Sequence, residues 1–247
     1  MFALSAGFAV GTLPCVRIFN VNLRTKLVLG SNSPRRRELL GLGNWSFDVI
    51  VSNVDETQQQ GEPPGQYVLR LAQSKARAVA AGVVAAAEER TIILAADTTV
   101  VNGQQLLGKP ADPAEAVRML RQLRGRTHQV YTGLALLDAG SGRLLQDLCV
   151  TDVPMRDYSD AEIERYVASG DPLDKAGAYA IQHDAFHPVA DIKGCFASVM
   201  GLPLCHLLRL FAAMGLEGDE QIPMRCQQYL DYACPVSDAI LRGERVG

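Results

Sequence analysis

Paired cysteines, a basic excess, long apolar runs and the standard nucleotide loops are what this sequence lacks. Lys and Arg number 24 against 27 Asp and Glu, a net charge of -3. A general nucleic-acid binder or membrane-surface protein would carry a basic excess, so neither partner is expected. The longest apolar stretch, Val199 to Leu216, is interrupted by Pro203, His206 and Arg209, too broken to span a bilayer, which needs about 20 apolar residues. Six cysteines (Cys15, Cys149, Cys195, Cys205, Cys226, Cys234) lie far apart. Without a C-x-x-C pair or a histidine at zinc spacing they read as reduced, mostly buried thiols of a cytoplasmic protein, not as a disulfide framework or a zinc site. There is no G-x-x-x-x-G-K-[ST] loop, no G-x-G-x-x-G after a strand, no G-x-S-x-G elbow and no H-E-x-x-H. Those gaps exclude ordinary P-loop enzymes and weaken dinucleotide, serine-hydrolase and histidine-metal chemistry.

What is present is a globular composition, 48% hydrophobic and 21% charged over 247 residues. Residues 1–25 carry no acidic side chain and fit neither a secretory signal nor a transit peptide, so they are expected to be a poorly ordered extension. The apolar run Lys26–Ser31 reads as a buried strand, and Ser33 followed by Pro34 as the cap and first residue of a helix. Phe47–Val51 alternates as a strand, and Gln66 to about Glu89 as a long amphipathic helix. Thr91–Ala96 is the plainest buried strand, and Asn102-Gly103 marks a hairpin. Asp112-Pro113-Ala114-Glu115 and Ser159-Asp160-Ala161-Glu162 open two further helices. Gln129–Asp138 and Arg143–Pro154 form a second hairpin. Leu202–Leu216 reads as a core helix, and the remainder has room for one short helix. Helices interleaved with hairpins imply an α/β protein with a mixed sheet.

Four groups of residues carry chemistry. In Ser31-Asn32-Ser33-Pro34-Arg35-Arg36-Arg37, three arginines crowd the positive end of a helix dipole. That is favourable if a polyanion sits there, and otherwise they turn to water or pair with Asp55 and Glu56. Asp97 follows the apolar strand and stands at its expected end. It either caps a turn or serves as a base or Mg2+ ligand. Lys75 falls on the apolar Val68–Leu71–Ala72–Val79 face, so it either snorkels outward or reaches a buried anion. Lys109 and Lys175 lie in loops, and Asp55-Glu56 is either a solvated turn or a pair of carboxylates beside phosphates.

In one order along the chain, LVLGSNSPRRRELL from Leu27, VDE at 54–56, LAQSKA at 71–76 and AADTTVVNGQQLLGKP at 95–110 are followed by QVYTGLAL at 129–136, YVASGDPLDKAGAYAIQ at 166–182 and VMGLPL at 199–204. Together they resemble the Maf family of nucleoside triphosphate pyrophosphatases. The resemblance covers about 26–216 and leaves 217–247 as a further extension. It implies an elongated mixed sheet with helices in two lobes around a central cleft, similar to inosine triphosphate pyrophosphatases, and a homodimer. It also implies hydrolysis of the α–β phosphoanhydride of a nucleoside triphosphate with a divalent cation, Mg2+ first, with Mn2+ or Co2+ as alternatives. By motif position the catalytic residues fall on Asp97, Glu56, Lys75 and Lys109, with Asp97 and Glu56 on the metal. Substrate contacts fall on Ser33, Arg35, Arg36, Thr98, Lys175 and Gln182. DKAGAYAIQ resembles the branch acting on dTTP and UTP. The alternative is a nucleotide-binding regulator of cell division without physiologically important turnover.

Overall fold

The computed structural model describes residues 24–83 and 89–247. The expected extension over 1–25 and Cys15 therefore fall almost wholly outside the described residues, although Arg24 and Thr25 already belong to the first strand. That strand, β1, runs Arg24–Leu29, and helix α1 follows over Pro34–Gly41. Ser33 caps α1 by accepting from the Arg36 N–H. β2 (Phe47–Val49) is shorter than expected, and α2 spans Pro64–Gly82. The expected continuation of α2 toward Glu89 crosses residues 84–88, which lie outside the described residues. β3 runs Glu89–Asn102 and β4 Gln105–Leu107. Asn102 pairs with Gln105, so the hairpin loop is Gly103-Gln104, one residue beyond the expected pair. α3 (Pro113–Leu123) is capped by Asp112, β5 (Thr127–Asp138) and β6 (Leu144–Pro154) form the second hairpin, and α4 (Asp160–Ala168) opens with a Ser159–Glu162 capping box. The core helix α6 covers Leu204–Met214 and is preceded by a five-residue helix, α5 (Phe196–Met200). After it come two helices where one was expected, α7 (Ile222–Leu230) and α8 (Ser237–Leu241). Ile222 and Ile240 are fully buried, so this segment packs onto the rest.

The expected mixed sheet is present, six strands in the order β2-β1-β3-β5-β6 with β4 beside β3. β1 lies parallel to β2 and β3, and the other pairs are antiparallel. β3 is central and its alternation sorts the core. Ile93 and Ala95 face α2 in a small cluster with Val28, Ala72, Ala76, Val79, Ala135 and Leu137. Ile92, Leu94 and Ala96 face the larger cluster built from α1, α3, α4, α5 and α6.

One expectation is corrected. Asp97 does not end a strand but sits within the fourteen-residue β3. TIILAA and the β-branched TTVV that follows join without a turn residue, and the lone carboxylate between them only imitates an end. What ends nearby is the neighbour. β1 pairs with β3 only as far as Leu29 opposite Leu94, and β4 begins pairing at Val100. Between them the chain leaves through Gly30 toward α1, opening a gap along β3 at Ala95–Thr99.

α2 lies very close to the sheet. A Cβ at Gly133 on β5 would come 2.8 Å from the Val68 carbonyl. Substituting Gly133→Ala must lift α2, and overpacking of this kind costs about 1–3 kcal/mol. The expected result is a lower midpoint in urea unfolding followed by circular dichroism, with an unchanged slope.

Candidate active site

At the gap, alternation along β3 sends Asp97 and Thr98 to opposite faces. Asp97 shares the α2 face with Ile93 and Ala95, and α2 presents Lys75 there. Lys75 Nζ donates to Asp97 Oδ1 at 2.7 Å and pairs with Glu56 Oε1 at 2.6 Å. The Lys75 and Asp97 side chains are only 14% and 11% exposed, whereas Glu56 is 57% exposed. The ammonium therefore reaches from an apolar helix face to a buried carboxylate and to a second at the rim. Tyr67 holds the rim acid's loop by donating its hydroxyl to the Glu56 carbonyl at 2.9 Å. Asp55 is used differently, accepting from the Thr57 N–H at 2.9 Å to cap a turn. Burial pushes the Asp97 carboxyl above its ordinary value, the ion pair with Lys75 pulls it only part of the way back, and Arg36 helps.

On the other face, Thr98 meets α1. Arg36 donates from Nη2 to Thr98 Oγ1 at 3.1 Å, from Nη1 to Ser31 Oγ at 3.2 Å and from Nε to the Gly201 carbonyl at 2.8 Å. Thr98 Oγ1 lies 2.9 Å from Thr132 Oγ1, which donates to the Ser198 carbonyl at 2.8 Å. Gly201 has φ +105, and a Cβ there would stand 3.1 Å from Arg36 Nε, so a glycine lets this turn carry its carbonyl to the guanidinium. The three arginines thus divide: Arg36 is fixed inward, Arg35 is half-buried at the cleft, and Arg37 is exposed and bonded to the Asn32 carbonyl. Among the described residues none of them pairs with Asp55 or Glu56; Lys75 takes the Glu56 carboxylate instead.

These side chains line one cleft of about 1070 Å3. Ser33, Arg35, Arg36, Glu56, Lys75, Asp97, Thr98, Lys109, Lys175 and Gln182 all border it. Lys109 and Gln182 are exposed. Lys175 is buried and held by Asp171 Oδ1 at 2.9 Å and Asp174 Oδ1 at 2.6 Å, so two neighbouring carboxylates already balance its charge. Thr98 likewise spends its hydroxyl on Arg36 and Thr132. Sequence reasoning missed Tyr67, Thr132 and Gly201, whose parts come from contacts across elements; the -M-G- after α5, a helix stop, was the one available signal. Asp97 and Glu56 both converge on the Lys75 ammonium, and among the described residues no cluster of three or more His, Cys, Asp or Glu side chains stands ready for a metal; the two carboxylates offer the hard oxygen donors that a divalent cation would combine with substrate oxygens and water.

The family described as Maf-like protein matches residues 26–214 of this sequence. The chain belongs to the Maf family. A dTTP/UTP pyrophosphatase of Myxococcus xanthus is 48% identical over 194 residues, covering 78% of this chain and 94% of that protein. One from Moorella thermoacetica is 47% identical over 193 residues, 78% of this chain and 97% of that protein. One from Desulforamulus reducens is 42% identical over 191 residues, 77% and 97%. The match to a solved nucleoside-triphosphatase (dITP/XTP pyrophosphatase) of Mycobacterium abscessus covers 76% of this chain and 98% of that chain at 12% identity and a TM-score of 0.38. The cleft lies wholly within the matched Maf segment.

Removing the ammonium tests the electrostatics of this site. In Lys75→Met, Asp97 keeps its burial and loses its principal counter-charge, so its pKa rises further. The residual activity should lose its acid limb at a higher pH than in the parent, measured as kcat/KM against pH; an unmoved limb would mean that another group controls it.

Proposed function

We propose that this chain hydrolyses the α–β phosphoanhydride of dTTP, UTP or a related pyrimidine nucleoside triphosphate, releasing the monophosphate and pyrophosphate. The observation that carries the reading is the Asp97–Lys75–Glu56 arrangement, one buried and one rim carboxylate on a single ammonium, lining the same cleft as Arg35, Arg36 and Lys109. The names of the Maf relatives, dTTP/UTP pyrophosphatases, supply the substrate class.

In this reading the triphosphate lies against the N-terminus of α1, where unpaired N–H groups and the helix dipole favour anions. Arg36, fixed by Ser31, Thr98 and Gly201, offers a preorganised guanidinium, and Lys109 in the same cleft adds a point charge to the departing pyrophosphate. Asp97 orients a water toward the α-phosphorus and accepts its proton, a role for which a carboxyl lifted by burial is better matched than an ordinary one. Lys75 keeps that carboxylate ionised and aimed. A divalent cation held by Asp97 and Glu56 would supply Lewis-acid neutralisation of phosphate charge when bound. Lys175 and Gln182, which line the same cleft, contact the base. The reading also includes the cytoplasm as its place and a homodimer as its assembly; among the described residues no helix is long and apolar enough to cross a membrane.

A regulator that only binds nucleotide would need the cations but would gain nothing from a carboxylate buried among them. Product analysis tests the choice. Incubation with UTP and Mg2+ should yield UMP and pyrophosphate, and Asp97→Asn should lower kcat by about 100-fold or more, the range for loss of a general base. Parental turnover by Asp97→Asn would overturn the assignment, and unchanged UTP with the parent protein would favour the regulator.

A further inference from the structure

The cleft's border over residues 171–182 carries polar groups that the chemistry at Asp97 does not use. α4 ends at Ala168, and Asp171–Asp174 forms a single 3-10 turn beyond it. Tyr166, buried on α4, donates its hydroxyl to Asp171 Oδ2 at 2.7 Å and accepts from the Ala180 N–H at 2.9 Å. One side chain thus fixes both the turn and the stretch that leads to Gln182. A second tie, from the Gly177 N–H to the Gly108 carbonyl at 3.0 Å, joins the same stretch to the residue before Lys109. This border is organised by the fold itself, and few of its polar atoms are left over.

An ammonium has three hydrogens to donate. Lys175 spends them on the Asp171 carbonyl at 2.5 Å, on Asp171 Oδ1 at 2.9 Å and on Asp174 Oδ1 at 2.6 Å. It has none left for a carbonyl of the base, so its part in base contact passes to a carboxylate that it holds. Asp171 is not that carboxylate, because Tyr166 takes one of its oxygens and Lys175 the other. The Tyr179 hydroxyl is also spent, lying 2.8 Å from His128 Nε2. Asp174 differs. Its Oδ1 faces Lys175, its Oδ2 has no hydrogen-bond partner among the described residues, and its side chain borders the cleft at 75% exposure. Two side chains therefore remain for a base, the Asp174 carboxylate and the exposed Gln182 amide. They differ in what they can tell apart. An amide turns over to present either a donor or an acceptor, whereas a carboxylate held at one oxygen by a buried ammonium presents only an acceptor.

We propose that Asp174, aimed by Lys175, accepts the N3–H of a uracil or thymine ring and so makes the cleft prefer those bases to cytosine. The proposal rests on the reading that a pyrimidine nucleoside triphosphate occupies the cleft, and it names the atom that chooses among such nucleotides. Uracil and thymine carry a hydrogen on N3, between two carbonyls. Cytosine carries a lone pair there, so it gains no bond and meets the negative charge of the carboxylate. A site that hydrogen-bonds one substrate discriminates against the analogue lacking the donor, because its own acceptor is then covered and left unpaired. The pairing with Lys175 keeps Asp174 in place without consuming the oxygen that reads the base.

Asp174→Asn is the informative change. The amide oxygen can still accept from Lys175, which leaves the buried ammonium satisfied and turns an NH2 group to where the carboxylate oxygen stood. kcat/KM is measured for UTP and for CTP by pyrophosphate release. The parent should prefer UTP, and in Asp174→Asn the UTP-to-CTP ratio should fall by about tenfold or more, the worth of one hydrogen bond to a charged group. Part of that fall should be a gain with CTP. Asp174→Ala should lose the preference without the gain. A parent indifferent to the two bases, or a ratio unchanged in both variants, would overturn the proposal. N3-methyl-UTP needs no variant: the parent should turn it over at least about tenfold more slowly than UTP, and equal rates would likewise count against Asp174. The Kd values of non-hydrolysable UTP and CTP analogues give the same comparison without turnover. A parent that releases no pyrophosphate therefore defeats the hydrolytic reading while the base preference is still measured.

Discussion

The pairing of Asp97 with Lys75 places a demanding condition on the rest of the molecule. Two opposite charges removed from most of the surrounding water are stable only while each faces the other at hydrogen-bond distance. Their supports must therefore be stiff. Asp97 sits in β3, which is paired to β5 over its whole central length. Lys75 sits on α2, which lies so close to β5 that only a hydrogen fits at Gly133. Small residues under α2 (Ala72, Ala76, Ala95, Ala135) allow the close approach, and that approach sets the reach of the lysine. The packing of the minor core and the placement of the ion pair are one physical problem with one solution.

The same strand serves two purposes because its side chains alternate. Asp97 points to α2 and joins the carboxylate–ammonium group, whereas Thr98 points to the major core and joins the hydroxyl chain that ends on Arg36. A one-residue slip in β3 would exchange these faces and put the threonine beside Lys75. Pairing to β5 on one side and to β1 and then β4 on the other prevents it. The gap between β1 and β4 is what makes the middle of a long strand accessible to a ligand, a situation more often met at strand ends.

α5 is a small element with a large share of the connections. It is only five residues long, yet it touches β5 through Ser198 and, through Gly201 at its end, α1. The segment 217–247 reinforces it from outside, with Tyr232 donating its hydroxyl to the carbonyls of Ile192 and Gly194 just before α5. The part of the chain beyond the matched Maf segment therefore touches the region that positions Arg36.

Much of this was legible in the order of the residues. Periodicity, caps and turn pairs located nearly every element, because those signals are local: Ser33 and Asp112 hold helix N–H groups within three residues of themselves, and alternation in β5 and β6 follows from having two faces. The motif string was specific enough to mark the family and the residues that border the cleft. Other features were beyond local reading. Asp97 looked like a strand end because nothing near it in sequence tells where its neighbour β1 stops. Asp55 and Glu56 looked like a pair until the folded loop gave one to a turn and the other to Lys75. Lys75 itself admitted two readings, and only the distance between α2 and β3 chose the buried one. The sequence determined which segments are helix and strand and which side chains carry charge, since these depend on contacts a few residues long. The tertiary structure decided which charges meet and which of three arginines turns inward, because each of those depends on elements tens of residues apart being brought to a common edge of the sheet.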